Sequence, residues 1–259
     1  HSSTFTHEII FTRTITVTGI VAFVNEDSFG DDAIFVINTD GTGLTQVTNT
    51  ATLGIVDIDE LDINAQGQIV YACEIPSPPP GADDDQICAI NSDGTNDRIL
   101  TSEPFRTGNP RVNELGQVVY VCEDAAVFAQ LCAINLDGTG HRKLTVGSLD
   151  NFDPELNNLG QIAYQCETAA GPPQICVVNF DGSGRTQLTF DPDGFIDPEL
   201  NDLGVISFGC FDNIGDDEIC AMDFDGMGFA QLTDSDCCTD FYNPEMNQFG
   251  NIAFFCDFF

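Results

Sequence analysis

The sequence predicts an all-β fold: a six-bladed β-propeller with an incomplete sixth blade and an N-terminal strand arm. Three observations predict it. Asp-Gly turns recur at Asp40-Gly41, Asp93-Gly94, Asp137-Gly138, Asp181-Gly182 and Asp225-Gly226, with steps of 53, 44, 44 and 44 residues. Between them lie short runs rich in β-branched and aromatic residues, separated by Gly, Asn and Asp, the pattern of antiparallel hairpins. No stretch of useful length has the 3.6-residue period of a helix. Four short strands in a repeat of about 44 residues make a propeller blade.

Within a repeat the innermost strand comes first, as in Asp153-Pro154-Glu155-Leu156-Asn157, and turns at Leu159-Gly160. A second apolar strand follows, Ile162 to Cys166, and then an acidic or Pro-rich loop. The third strand runs from Gln174 to Asn179 into the Asp-Gly turn, and a fourth at Gln187-Leu188-Thr189 closes the unit. On this frame blade 1 takes about 10–18, 20–25, 33–38 and 44–48. Blades 2 to 5 take 56–101, 108–145, 153–189 and 196–233. Residues 1–9 are left as the arm, and 10–259 read as one domain.

The sixth blade opens with Asn243-Pro244-Glu245-Met246-Asn247 and continues from Asn251 to Cys256, with no third or fourth strand before Phe259. An apolar strand with an open edge invites pairing. Thr4 to Thr18 alternate small polar and bulkier side chains over much of their length, so they can supply a strand. Three arrangements follow. In one, the chain's own N-terminus closes the ring. In another, the N-terminal strand enters the sixth blade of a neighbouring copy, where Phe5, His7 and Ile9 meet Ile252, Phe254, Phe255 and Phe258. In the third, the ring has five blades, the last repeat lends its first strand to the first, and residues 1–18 form a free arm. Two strands are lacking and only about nine residues are spare, so strand donation is the expectation. A heterologous contact that does not close on itself propagates into a filament.

The pattern Ile175-Cys176-x-x-Asn179-x-Asp181-Gly182-x-Gly184-x-x-x-Leu188-Thr189, together with Asp153-Pro154-Glu155-Leu156-Asn157-x-Leu159-Gly160-x-Ile162, resembles the WD40-like repeat of TolB-type β-propellers. The resemblance covers residues 10–256. It implies the propeller fold. It leaves function open, because that family includes periplasmic protein-binding modules, propeller domains attached to peptidases and uncharacterised secreted proteins. This sequence departs from the family pattern in its Cys pairs, its few basic residues and its lack of Trp.

The chain has 11 cysteines. Aligned blades place one on the second strand and one on the third: Cys73 with Cys88, Cys122 with Cys132, Cys166 with Cys176, and Cys210 with Cys220. Antiparallel neighbours bring such residues within bridging distance. Zinc, the competing explanation, has neither a Cys-x-x-Cys pair nor a nearby His in support. Cys256 takes the second-strand place in blade 6, and Cys237 and Cys238 lie in the loop entering it. A bridge from Cys256 to Cys238 or Cys237 is expected, with one thiol left over. Disulfides imply an oxidising compartment, extracellular or periplasmic. A first residue of His1 fits removal of a secretion signal or a trimmed chain.

Lys and Arg total 7 against 42 Asp and Glu, a formal net charge of −35. Nucleic-acid binding needs cationic neutralisation of phosphate, so it is excluded. No apolar run approaches the ~20 residues of a membrane helix, so membrane insertion is not expected. An acidic protein attracts cations, and calcium is the expected ion. Its candidate ligands lie on the innermost strands: Asp62, Glu155, Glu199 and Glu245 at one matched position, with Arg111 substituting, and Asp153 and Asp197 two residues earlier. The loops carrying Asp83 to Asp85 and Asp216 to Glu218 read as a solvated acidic face. His141, beside Arg142 and Lys143, reads as part of a surface strand.

No Gly-x-Ser-x-Gly, Ser/His/Asp set or activated Cys/His pair occurs, so catalysis is not expected. The expected function is that of an extracellular structural protein that self-assembles head to tail into a filament. The alternative is a monomeric secreted binding propeller with a calcium or protein ligand.

Overall fold

The computed structural model describes residues 19–48, 55, 57–75, 83–169, 171–190, 193–211, 216–234 and 240–257. All regular structure among them is β, in six antiparallel sheets that follow the chain. The first sheet holds β1 (Ile20–Glu26), β2 (Asp32–Asn38) and β3 (Thr45–Gln46). The second holds β4 (Asp57–Ile63), β5 (Gln68–Glu74), β6 (Asp85–Asn91) and β7 (Arg98–Ile99). The third holds β8 (Thr107–Val112), β9 (Gln117–Glu123), β10 (Ala129–Asn135) and β11 (Arg142–Lys143). The fourth holds β12 (Asn151–Leu156), β13 (Gln161–Thr168), β14 (Gly171–Asn179) and β15 (Thr186–Gln187). The fifth holds β16 (Ile196–Leu200), β17 (Val205–Phe211), β18 (Asp217–Asp223) and β19 (Ala230–Gln231). The sixth holds β20 (Asp240–Met246) and β21 (Ile252–Asp257). The innermost strand expected at 10–18 lies outside the described residues.

Turn chemistry fixes the hairpins. Asn157 Oδ1 accepts from the backbone N–H of Leu159 and of Gln161, both at 3.0 Å, and Gly160 supplies the left-handed φ of 72° that closes the turn. At the Asp-Gly turn, Asp181 Oδ1 accepts from the Ser183 N–H at 2.9 Å and its hydroxyl at 2.6 Å. These Asp carboxylates are hairpin parts, and the same bonds hold Asp40, Asp93, Asp137 and Asp181 below the usual carboxylate range.

The fourth strands are two residues long, shorter than Gln187-Leu188-Thr189 suggests. The reason is a side chain. Thr189 Oγ1 takes the Ile175 N–H at 2.9 Å, so the ladder ends in a hydroxyl. Thr48, Thr101, Thr145 and Thr233 do the same in their sheets. The first strands begin earlier than the Asn/Asp-Pro motifs suggest, at Thr107, Asn151 and Asp240, because pairing resumes on the far side of a bulge.

The middle strands of each sheet are buried on both faces. Ile69, Tyr71 and Cys88 pack toward Ile34 and Val36 of the first sheet, while Val70, Ile87 and Ala89 pack toward Val118 and Tyr120 of the third. The same division recurs between the third and fourth sheets and between the fourth and fifth. Tyr71, Tyr120, Tyr164 and Phe208 occupy one matched position, fully buried. Each such side chain contributes about 1.5–3 kcal/mol by leaving water. The tyrosine hydroxyls reach partners at the rim: Tyr71 donates to Asp97 at 2.9 Å and Tyr120 to Glu103 at 3.3 Å.

The two end sheets break the pattern. Val21 is 47% exposed, whereas its equivalents Ile69, Val118, Ile162 and Ile206 are all 0% exposed. Ala253 is exposed, whereas Val70, Val119, Ala163 and Ser207 at the same position are buried. Both positions face outward from the stack of sheets, one at each end.

Candidate functional site

A β-bulge interrupts each first strand before the matched acidic position, at Asp62, Arg111, Glu155, Glu199 and Glu245. Within the bulge Asn109, Asp153 and Asp197 adopt left-handed φ values of 47°, 48° and 51°, which short Asx side chains tolerate best. Bulges re-aim side chains. Here they make two tiers along the neighbouring first strands.

In the first tier, Glu60 Oε2 accepts the Asn109 N–H at 2.9 Å, and Asn109 Nδ2 donates to Asp153 Oδ1 at 3.0 Å. Gln165 Nε2 donates to Asp153 at 2.7 Å and to Asp197 at 3.4 Å. Burial raises the carboxyls of Asp153 and Asp197, and Asp197 adds repulsion on Asp153.

In the second tier, Arg111 Nε donates to Glu155 Oε1 at 2.7 Å. Asp62 Oδ2 accepts the Val112 N–H at 2.7 Å. Burial pushes Glu155 up to about 7 against the pull of Arg111. Burial, then repulsion from Glu155 and Glu245, raises Glu199 to about 9. Asp62 is raised mainly by burial, and the Glu155 carboxylate holds Arg111 firmly charged. The calcium candidates Asp62, Glu155, Glu199 and Glu245 therefore share their space with a guanidinium. Glu199, raised to about 9, therefore keeps its proton at neutral pH.

One recurrent contact set was not among the expected site residues. Asn64 Nδ2 donates to the Asn113 carbonyl at 3.1 Å, Asn113 to Asn157 at 3.0 Å, and Asn157 to Asn201 at 3.0 Å. The second sheet is thus latched to the third, the third to the fourth and the fourth to the fifth. The recurrence of Asn at the end of the described first strands is the sequence signal.

A cleft of about 620 Å³ is lined by Asp57, Asp59 and Glu60 of β4, Glu74 of β5, Asp85 of β6 and Glu123 of β9, with Arg106 paired to Asp85 at 2.8 Å. Beside it, Asp83, Asp84 and Asp85 bring carboxylate oxygens within 4.8 Å of one another, the one such acidic trio among the described residues. His141, expected on a plain surface strand, pairs its Nε2 with Glu103 at 2.6 Å and stacks on Tyr120.

Four disulfides join Cys73–Cys88, Cys122–Cys132, Cys166–Cys176 and Cys210–Cys220, with Cα–Cα distances of 5.8 to 6.0 Å. Each crosses the ladder diagonally. Cys166 lies opposite Gln174 and Cys176 lies opposite Tyr164. Such bridges point to an oxidising compartment. No helix among the described residues is long and apolar enough to cross a membrane.

Of the expected assembly residues, Ile252, Phe254 and Phe255 lie on β21. Phe5, His7, Ile9 and Phe258 lie outside the described residues, as do Cys237 and Cys238. Cys256 sits opposite Phe241 on β21, the place of Cys166 opposite Asn151.

No family model matches the chain, and no curated protein matches it. Solved structures match it as folds. The assigned TolB of Agrobacterium tumefaciens has a TM-score of 0.61 at 16% identity, over 92% of this chain and 90% of that one. TolB from Acinetobacter baumannii has 0.56 at 14%, over 91% of this chain and 62% of its own length. An oligogalacturonate lyase in complex with manganese has 0.58 at 13%, over 88% and 80%. A lyase shares its architecture with the two TolB proteins, so fold alone does not decide catalysis. Blade-like antiparallel sheets in chain order, the latches from the second to the fifth and these structural neighbours identify the architecture of this chain as a TolB-like β-propeller.

Proposed function

We propose that this chain is a secreted structural subunit, not an enzyme, that assembles head to tail. An N-terminal strand of one copy completes the sixth sheet of the next. The observation that carries this reading is β21. Among the described residues it pairs with β20 alone, while its counterparts β5, β9, β13 and β17 each lie between two strands. Its residue Ala253 is exposed where four equivalents are buried. A sheet edge with apolar surface beside it takes up an added strand through main-chain hydrogen bonds. Donor and acceptor surfaces are different patches, so the contact is heterologous and builds a chain of subunits. The rigid, disulfide-bridged sheets suit an extracellular bead.

Electron cryo-microscopy of the purified native chain tests this. The expected image is a filament in which a strand beside β21 belongs to the adjacent subunit. Isolated rings, with β21 flanked on both sides by strands of one chain, would overturn it.

A second reading, a cation-binding propeller, is favoured by the Asp83 to Asp85 trio beside the acidic cleft. Oxygen ligands of this kind suit calcium. A calcium-dependent rise in Tm that disappears in Asp84→Asn is the expected outcome, by mass action on the folded state. An identical calcium response in both proteins would count against it.

A further inference from the structure

The third strands of the second to fifth sheets carry one buried polar residue at a matched position, two before the bridged cysteine: Gln86, Gln130, Gln174 and Glu218. In three of them it is an amide whose nitrogen donates to backbone carbonyls. Gln86 Nε2 donates to the carbonyls of Asp83 at 2.9 Å and Glu103 at 3.0 Å. Gln130 Nε2 donates to that of Leu149 at 3.0 Å, and Gln174 Nε2 to that of Pro172 at 3.4 Å. The amide oxygen has the opposite role: Gln86 Oε1 accepts from Thr101 Oγ1 at 2.8 Å.

The fifth sheet keeps half of this arrangement. Thr233 Oγ1 donates to Glu218 Oε2, as Thr101 does to Gln86. Glu218 Oε1 then stands where the amide nitrogen stands in the second sheet, an acceptor in the place of a donor. Glu218 is 0% exposed, and its Oε1 has no hydrogen-bond partner. Ser207 Oγ is the other buried atom of this kind among the described residues, but it carries no formal charge. A buried carboxylate oxygen without a partner is costly, and a cation set between it and backbone oxygens removes the cost. We propose that a calcium ion bound by Glu218 Oε1 takes, in the fifth sheet, the place of the amide N–H groups of Gln86, Gln130 and Gln174. Oxygen donors suit calcium, which accepts carboxylate and carbonyl ligands in flexible geometry. Zinc would want sulfur or imidazole, and the nearby sulfurs of Cys210 and Cys220 are tied to each other. Asp216 and Asp217 precede Glu218 and Asp234 follows Thr233, so the local field also favours a cation. This site is separate from the Asp83 to Asp85 trio and does not rest on strand donation.

The substitution Glu218→Gln provides the test, because it installs the side chain that the three other sheets already hold. Equilibrium dialysis against radiolabelled calcium, at fixed ionic strength, compares Asp84→Asn with Asp84→Asn/Glu218→Gln, so that the trio is silenced in both. The double variant should bind one calcium fewer. In the absence of calcium it should also melt at a higher temperature than the single variant, since the amide restores the donor. Far-UV circular dichroism reports that each variant folds. Equal calcium uptake by the two would overturn the site and leave the trio reading standing. Loss of all uptake in Asp84→Asn alone would do the same. A structure of the native chain with calcium gives an answer that needs no variant. Density for an ion about 2.3–2.6 Å from Glu218 Oε1 is expected. A carboxylate with no ion beside it would overturn the proposal.

Discussion

Asn157 makes four hydrogen bonds with one side chain: it accepts from Leu159 and Gln161 and donates to Gln161 Oε1 and the Asn201 carbonyl. One residue thus sets a turn and joins two sheets. The Asn-x-Leu-Gly spacing announces the turn, because Asx side chains cap backbone in this way. It does not announce the latch, because the acceptor lies 44 residues away and is fixed only by how the sheets stack. Arg111 is a similar case. Alignment shows it replacing an acid, but its 2.7 Å pair with Glu155 depends on the bulges that turn both inward. Glu199 carries a consequence for stability. Its native carboxyl is raised to about 9 from 4.5. Between those values the native state holds a proton that the unfolded chain has released, so stability falls as pH rises from about 5 to 9. Glu199→Gln removes that loss. Relative to the native chain, the variant should gain several kcal/mol at pH 9, with a ceiling of about 6 kcal/mol from the full linkage, and change little at pH 5. The gain reads out as a Tm difference between the two proteins that widens steadily from pH 5 to pH 9. Parallel Tm-against-pH curves for the two proteins would contradict the assignment.

Strands are the level at which the sequence is most explicit. Apolar runs between Gly, Asn and Asp mark the second and third strands, and the paired cysteines mark which two are neighbours. Each bridge closes a loop of 10 or 15 residues and contributes about 3 kcal/mol in the chain-entropy picture. The fourth strands are overestimated by one residue because Thr189 and its equivalents replace a backbone bond with a hydroxyl. The first strands start earlier than expected because a bulge hides inside the Asn/Asp-Pro motif. Neither feature has a period that sequence reading detects. The sixth sheet is legible as two strands, and the described residues contain those two.

At the scale of the molecule, the sheets pack in chain order and each middle strand is buried by both neighbours, except at the two ends of the stack. Val21 at one end and Ala253 at the other stay exposed where their equivalents are buried. Acidic charge keeps such rigid bodies dispersed, so the proposed assembly calls for a specific strand rather than general adhesion. The deciding measurement is the mass of the chain lacking residues 1–13, by light scattering and negative-stain microscopy beside the full chain. The full chain should run as polymers, and the shortened one as a single species with an unchanged far-UV circular dichroism spectrum. Polymers that persist without residues 1–13, or a full chain that never leaves the monomer mass of 28.0 kDa, would contradict strand donation.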